Sequence, residues 1–248
     1  MPVYLLSGGL DSVVLLHWGV RQPHLLGVDP DPETGKIRNV AVHFHTGIAV
    51  DPDLSEICKY HCSLLDVELV EIELGWLWPP GTRARGEAPA GQESPIVSAV
   101  VPASDSFWRE AYDYQDGRGI MFLTICGIMA TNRGINTVLV SFQNEDDEED
   151  LADDIDDPIA LDVSYDFLKC YEELVSCGGF LAERAPMYVA PFVNQGMSKR
   201  HIVKLGYDLG VDLDRTLSCE FSNPPCGQCT GCTRRIRAFE QYRTLQMA

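Results

Sequence analysis

The sequence has no apolar run that approaches the roughly 20 residues needed to cross a bilayer. It also has no basic segment ahead of the first predicted strand, where a secretion signal would carry one. Both absences argue against a membrane protein or a secreted one. We therefore expect a soluble, cytoplasmic protein without a membrane partner.

Basic residues are scarce: 19 Lys and Arg stand against 37 Asp and Glu, which gives a net charge of −18 at pH 7. Such a surface repels a phosphate backbone, so a broad nucleic-acid interface is not expected. Ten carboxylates and no Lys or Arg lie within residues 145–157, the acidic segment. Three interpretations of it stay open: a solvated loop, which is the default, a docking surface for a basic protein partner, and Mg²⁺ binding.

Apolar segments typical of strands and helices alternate along the 248 residues, and no internal repeat is evident. Strands are predicted at 3–6, 39–45, 67–74, 136–142 and 187–193. Because helices are predicted between them, we expect an α/β fold with a doubly wound, mostly parallel sheet. From Trp76 to about Ser104, clustered prolines and glycines predict a long loop.

The most informative motif is Ser-Gly-Gly-Leu-Asp-Ser, residues 7–12, between the first predicted strand and an apolar helix. In open α/β sheets, ligands bind beyond the carboxyl ends of the strands, and N–H groups at a helix N-terminus attract anions. Gly8 and Gly9 let the main chain come close to a ligand, and Ser7 and Ser12 add hydroxyl donors. The spacing matches neither a Walker loop nor Gly-x-Gly-x-x-Gly. A phosphate-binding loop of another kind is predicted.

Four cysteines lie within fourteen residues near the C-terminus in the pattern C-x6-C-x2-C-x2-C: Cys219, Cys226, Cys229 and Cys232. The x2 spacing lets neighbouring thiolates face one ion, and four sulfur ligands leave no open position. We expect one structural Zn²⁺ per chain; an iron–sulfur cluster, which also uses four thiolates, stays open. The other cysteines are interpreted as core residues: Cys58, Cys62, Cys126, Cys170 and Cys177.

The two motifs together resemble the 7-cyano-7-deazaguanine synthase (QueC) family of queuosine and deazapurine biosynthesis, within the ATP pyrophosphatases. The resemblance runs over nearly the whole chain and includes the loop at 7–12, Gly117-Arg118, the stretch from Pro191 with Lys199, and "LSCEF" ahead of the cysteines. It implies a Rossmann-like fold of the adenine nucleotide alpha-hydrolase type. It also implies an ATP pyrophosphatase domain over 1–212 and a small zinc-binding helical extension over 213–248.

The resemblance implies an ATP-dependent, adenylate-forming carbon–nitrogen ligase. In the family, ATP adenylates the carboxylate of 7-carboxy-7-deazaguanine and releases pyrophosphate. Ammonia then displaces AMP to give an amide, and a second activation dehydrates the amide to a nitrile. Activation is needed because a carboxylate is a poor electrophile until it carries a good leaving group.

The resemblance also assigns residues. Those expected to bind the nucleotide are Ser7, Gly8, Gly9, Leu10, Asp11, Ser12, His45 and Gly117. Asp11 is expected to help position Mg²⁺ on the ATP, since a carboxylate suits a hard cation between phosphates. Arg118 and Lys199 are candidates for neutralising charge on the phosphate oxygens, with surface ion pairs as the alternative. For His45 the alternative is a structural histidine.

The chain departs from the family pattern after the second strand, where it has "FHTGIAVDPD", and past the fourth strand, where the acidic segment stands. Three alternative functions therefore stay open. They are a homologue of antiviral defence that joins the deazaguanine acyl group to a protein amine, a tRNA-modifying enzyme, and a non-catalytic nucleotide-binding subunit. Homodimers are common among related folds, and we expect one here.

Deleting residues 145–157 tests the default interpretation of the acidic segment. A solvated loop predicts unchanged turnover on every substrate, measured as AMP release. A loss of turnover confined to a protein acceptor would instead indicate a docking surface, and a weakened dependence on Mg²⁺ would indicate a cation site.

Overall fold

The computed structural model describes residues 1–28, 30, 35–48, 50–75, 118–143, 165–177, 185–219 and 221–247. Within them, five strands form one sheet: β1 (Pro2–Leu5), β2 (Val40–His45), β3 (Glu68–Glu73), β4 (Thr137–Leu139) and β5 (Met187–Val189). Their order is β3-β2-β1-β4-β5, and every neighbouring pair is parallel. The predicted parallel sheet is confirmed. Its order changes direction at β1, the point at which such sheets bind ligands.

Seven α-helices are described: α1 (Leu10–Arg21), α2 (Asp51–Leu65), α3 (Arg118–Asn132), α4 (Tyr165–Ser176), α5 (Pro191–Asn194), α6 (Lys199–Asp208) and α7 (Thr230–Met247). Successive β1 residues point to opposite faces of the sheet, and each face has its own core. Tyr4 packs with α1, α2, α6 and α7, whereas Val3 packs with α3 and α4. Helices therefore cover both faces, which is the doubly wound arrangement predicted.

The last strand is shorter than predicted. It ends at Val189 rather than at residue 193, because Pro191 opens α5. Proline has no N–H for a strand ladder and a φ that suits the first turn of a helix. The next helix, α6, begins after Ser198, a residue type typical of an N-cap. Ser198 forms a capping box with His201, and the helix stops ahead of Gly210, whose φ is +63°.

The prediction that every cysteine outside the C-terminal cluster is a core residue is wrong in part. Cys58, Cys62 and Cys126 are buried, but Cys170 and Cys177 are exposed. On α4 the buried face carries Leu168 and Tyr171, and it leaves Cys170 on the solvent side. A helix that covers a sheet buries only one face.

The C-terminal helix α7 packs on α6, and its buried Ala238 and Tyr242 share the core of α1. The Tyr242 ring stacks on Tyr207 with centroids 5.0 Å apart. The division into domains at 212 and 213 stays a prediction. The predicted loop at 76–104 and the acidic segment lie outside the described residues. Among the helices of the described ranges, none combines the length and the apolar character that a membrane crossing requires.

Two buried histidines link α1 to α2. His17 Nε2 lies 2.9 Å from His61 Nδ1, and His61 Nε2 lies 2.8 Å from the Arg215 carbonyl. Because a carbonyl only accepts, His61 carries its proton on Nε2, and His17 Nε2 donates to His61 Nδ1. The remaining His17 Nδ1 is a buried acceptor with no partner among the described residues. Burial, with a contribution from His61, lowers the pKa of His17 to about 4.

This pair makes stability depend on pH. The pKa of His17 lies below its ordinary 6.5, so the unfolded chain takes up the proton first as the pH falls. The stability contributed by neutral His17 is present above pH 6.5 and is lost as the pH falls towards about 4. His17→Gln keeps a donor near the Nε2 position but does not titrate. Between pH 7 and pH 5, we expect the variant to lose about 2 kcal/mol less unfolding free energy than the wild type.

The measurement is urea unfolding of both proteins at the two pH values. The control is His24→Gln, a change at an exposed histidine, which should follow the wild-type pH dependence. Identical pH dependences for wild type and His17→Gln would contradict the assignment.

Candidate active site

The loop at 7–12 leaves the carboxyl end of the central strand β1. Gly8 has a φ of +78°, and a Cβ added there would lie 2.9 Å from the Leu54 carbonyl oxygen. Both the backbone conformation and the space therefore require glycine. Gly9 is the N-cap of α1 and has no side chain to occupy the amides of the first turn. Those amides carry the positive end of the helix dipole, which suits an anion.

The two serines brace the loop from inside. Buried Ser12 Oγ accepts from the Ser7 amide at 3.1 Å and donates to the Gly9 carbonyl at 3.1 Å. Ser7 Oγ lies 3.0 Å from Ser12 Oγ and accepts from the Gly9 amide at 3.3 Å. The Ser12 hydroxyl thus holds the shape of the loop, whereas the sequence interpretation had it as a ligand donor. Contact of either serine with a phosphate stays a prediction.

Asp11 and Lys199, both predicted catalytic residues, meet at the loop. Lys199 Nζ donates to Asp11 Oδ2 at 3.0 Å, and the two side chains are 13% and 21% exposed. Helices α1 and α6 bring these residues together across 188 positions of sequence. The second carboxylate oxygen, Oδ1, is buried and has no partner among the described residues. An unpaired carboxylate oxygen is a ligand type that suits Mg²⁺, and the role predicted for Asp11 stays a prediction.

Arg118, the third predicted catalytic residue, is the first residue of α3. Because α3 leads into the parallel strand β4, it runs back along the sheet, and its first residue lies at the carboxyl edge. Arg118 therefore shares that edge with the loop but approaches from the other face. Its role stays a prediction, and Gly117 lies outside the described residues.

His45, at the end of β2, is held by strand β3. Its Nε2 lies 3.0 Å from Glu71 Oε1 and 3.8 Å from Glu73 Oε1. Glu71 also accepts from Ser55 of α2, so His45 belongs to a polar network between β2, β3 and α2. These contacts suit the structural alternative for this histidine, and its contact with a nucleotide stays a prediction.

Two further residues that shape this edge were not predicted. The Nδ1 of buried His43 donates to the carbonyl of Leu6, the residue just before the loop, at 3.0 Å. Asp51 Oδ2 accepts from the amides of residues 46, 47 and 48 at 2.8, 2.6 and 3.1 Å. The only signal in the sequence was Asp-Pro at a helix start, which does not reveal what an N-terminal carboxylate binds. Both residues fix loops that border the site.

The four clustered cysteines form one site. Their Sγ atoms all lie within 4.8 Å of one another, and two pairs, Cys219 with Cys229 and Cys226 with Cys232, are 3.9 Å apart. Tetrahedral Zn–S bonds of about 2.3 Å place sulfurs about 3.8 Å apart, so the donor set fits a single ion. The cluster that could bind a metal is thus present as predicted.

Backbone amides already favour a thiolate at two of these cysteines. Burial opposes ionisation of Cys219, but the amides of Cys226 and Phe221 outweigh burial and lower its pKa to about 6. The amides of Gln228 and Cys229 lower the pKa of Cys226. Burial raises the pKa of Cys232 to about 12, and a bound cation would offset this by favouring its thiolate.

Comparisons with known proteins identify the family of the chain. The model of a family described as queuosine biosynthesis protein QueC matches residues 101–243. The 7-cyano-7-deazaguanine synthase of Aquifex aeolicus (strain VF5) is 29% identical and covers 96% of this chain and 95% of its own length. The enzyme of that name from Persephonella marina (strain DSM 14350 / EX-H1) is 32% identical over 96% of this chain and 91% of its own.

A solved structure, the U34-tRNA thiolase NcsA from Methanococcus maripaludis with its [4Fe-4S] cluster, gives a TM-score of 0.46 at 10% identity. The alignment covers 99% of this chain and 66% of that one. The likeness is too distant to bear on function.

Gly8→Ala tests the loop. The added methyl meets the Leu54 carbonyl and strains a positive φ, so we expect a loss of about 1–2 kcal/mol of stability and at least about tenfold weaker ATP binding. Gly210→Ala is the matched control: its φ is +63°, but a Cβ there meets nothing within 4 Å. It should cost less stability than Gly8→Ala, because only the positive φ is strained, and leave the affinity for ATP unchanged. Calorimetric titration and urea unfolding measure both; equal ATP affinity in the two variants would refute this account.

Proposed function

The chain belongs to the family of queuosine biosynthesis protein QueC, and from that premise we propose that it acts as a 7-cyano-7-deazaguanine synthase. It is an ATP-dependent ligase that adenylates the carboxylate of 7-carboxy-7-deazaguanine and passes the acyl group to ammonia. The observation that carries the proposal is the glycine loop at the carboxyl end of β1, with the Asp11–Lys199 pair beside it.

The loop supplies the electrostatics of the first step. Amides at the start of α1 bind the two outer phosphates of ATP and leave the α-phosphorus open. A carboxylate oxygen of the substrate attacks that phosphorus, the bond between phosphorus and the bridging oxygen breaks, and pyrophosphate leaves with the electron pair. Amides already in place stabilise the charge that develops on the pyrophosphate. Such preorganised stabilisation is usually the largest single contribution to the rate enhancement.

Two predicted residues support that step from the side. Lys199 brings a positive charge to the loop, and Asp11 holds the ammonium in position through Oδ2. The free oxygen Oδ1 of Asp11 is the group that would hold Mg²⁺ with the ATP, and that ion supplies charge neutralisation on the phosphates. Arg118 approaches from the opposite face and acts on the phosphate or on the substrate carboxylate.

In the second step, ammonia attacks the acyl carbon and loses a proton, and AMP leaves with the bonding pair, which gives an amide. The amide oxygen then attacks the α-phosphorus of a second ATP and pyrophosphate leaves. The oxygen departs with AMP while the nitrogen gives up its two protons, which gives the nitrile. Both activations need the same placement of ATP, so one loop serves the whole sequence.

The metal in this proposal is zinc, bound by Cys219, Cys226, Cys229 and Cys232. Sulfurs within 4.8 Å of one another suit one shared ion better than a multi-iron cluster, whose cysteines surround several metal atoms. Four thiolates leave no position for substrate, so the role of the ion is structural.

The names of the relatives favour ammonia as the acceptor over a protein amine, and favour an enzyme over a tRNA-modifying protein or a non-catalytic subunit. A homodimer and a cytoplasmic location complete the proposal. A role in antiviral defence requires transfer to a protein amine, whereas docking of a basic protein at the acidic segment does not depend on the acceptor.

The test is incubation with ATP, Mg²⁺, 7-carboxy-7-deazaguanine and ammonia, followed by mass spectrometry. We expect AMP, pyrophosphate and the nitrile. ADP and phosphate as products would contradict the proposal, and a product formed only with a protein amine would favour the defence alternative.

Asp11→Asn should lower kcat by about 100-fold. Asp208→Asn, at an exposed pair with Lys204 on α6, is the control and should leave kcat unchanged.

A further inference from the structure

Residues 213–219, called here the bridging segment, run from a short 3₁₀ turn at Leu213–Arg215 to the first metal ligand, Cys219. The segment lies against the phosphate loop. The Leu217 amide donates to the Gly8 carbonyl at 3.1 Å. The Leu217 carbonyl oxygen lies 3.7 Å from the position that a Cβ on Gly9 would take. Both loop glycines therefore face main chain that is two residues from a metal ligand.

The loop is held between this segment and α2. On one side of Gly8 stands the Leu54 carbonyl, and on the other stands Leu217. Leu217 is buried in one apolar cluster with Val50, Cys219 and Cys232, and Leu54 packs against that cluster. Two metal ligands thus belong to the apolar cluster whose members Leu54 and Leu217 contact the loop.

Arg235 makes a second connection, from the helix that follows the cysteines. It lies three residues after Cys232 and donates from Nη1 to Thr216 Oγ1 at 2.6 Å and from Nη2 to the Leu213 carbonyl at 2.7 Å. A guanidinium holds two acceptors in fixed geometry. Burial lowers the pKa of Arg235, and the carboxylates of Asp214 and Asp11 partly offset this effect. Arg235 therefore ties α7 to the bridging segment beside the loop.

The start of α7 is closely packed against the bridging segment. A Cβ added at Gly231 would lie 2.0 Å from the Ser218 carbonyl oxygen, so the helix backbone touches the bridging segment directly. Gly231 immediately precedes Cys232. A displacement of either metal ligand, Cys219 or Cys232, would be passed to Leu217 through covalent or closely packed neighbours.

We propose that the bridging segment couples the metal site to the phosphate loop, with Arg235 as a positioning residue, so that metal and ATP each raise the other's affinity. The inference rests on the proposed function in that ATP is the ligand of the loop. With the metal bound, Cys219 is held, the Leu217–Gly8 hydrogen bond persists, and the loop amides are ready for phosphate. By thermodynamic linkage, phosphate bound to the loop must hold the metal more tightly by the same factor.

The primary measurement is the rate at which the zinc-loaded protein releases zinc to an excess of the chromogenic chelator 4-(2-pyridylazo)resorcinol, with Mg²⁺ present. The probe is an ATP analogue with a methylene group between the α and β phosphates, which is not cleaved there. Because differences in affinity between related complexes lie mostly in the dissociation rate, a coupling at the lower end of the ordinary range should slow release at least about fivefold in saturating analogue. Far-UV circular dichroism, recorded in parallel, should stay constant during release.

Arg235→Met tests the path of the coupling. It should keep one equivalent of zinc and still bind the analogue, but the slowing of release should fall below about twofold. Arg235→Lys, which keeps the charge but cannot hold two acceptors in fixed geometry, should give an intermediate effect. The exposed Arg237→Met on the same helix is the matched control and should behave as wild type.

Equal release rates with and without bound analogue would overturn the inference, as would release that coincides with loss of ellipticity, since the nucleotide would then act on the whole fold. If Arg235→Met does not fold, the wild-type rates decide. Failure of the analogue to bind at all would be a failure of the proposed function, which calorimetry detects separately.

Discussion

The main chain at Gly8 is closed in on two sides, by the Leu54 carbonyl of α2 and by the Leu217 amide of the bridging segment. This close approach is possible only without a side chain and with a positive φ. It places the first amides of α1 at the edge of the sheet, next to the Asp11–Lys199 pair. The shape of the loop, and with it the phosphate binding proposed for this site, depends on this one backbone position.

Around the loop, polar side chains are used mainly to hold backbone rather than to face solvent. His43 fixes the carbonyl before the loop, Asp51 gathers three amides after β2, and Ser12 braces the loop itself. Each of these groups is buried or partly buried, where an unpaired polar atom is costly and a satisfied one is rigid. The edge of the sheet is therefore ordered before any ligand arrives, which lowers the entropy that binding has to overcome. Two buried atoms at this edge are exceptions: His43 Nε2 and Asp11 Oδ1 have no partner among the described residues.

The cysteine cluster has a similar place in the architecture. It lies at the C-terminal end of the chain, but its buried members, Cys219 and Cys232, pack with Val50 and Leu217 beneath the loop. A metal ion bound there would stabilise the part of the fold that supports the loop. The helix after the cluster then returns to the core of α1 and α6 through Ala238 and Tyr242.

Features set by neighbouring residues were predictable from the sequence alone: the glycine loop after a strand, the x2 cysteine spacing, the Ser198 cap and the alternation of strands with helices. Local conformation and short-range contacts carry these signals, so a sequence read in order contains them. The tertiary structure alone decided that Lys199 meets Asp11, that Leu217 holds Gly8, that Ser12 turns inward and that Cys170 lies outside the core. These depend on the strand order and on which face each helix covers, and residues far apart in sequence meet only once the sheet has assembled.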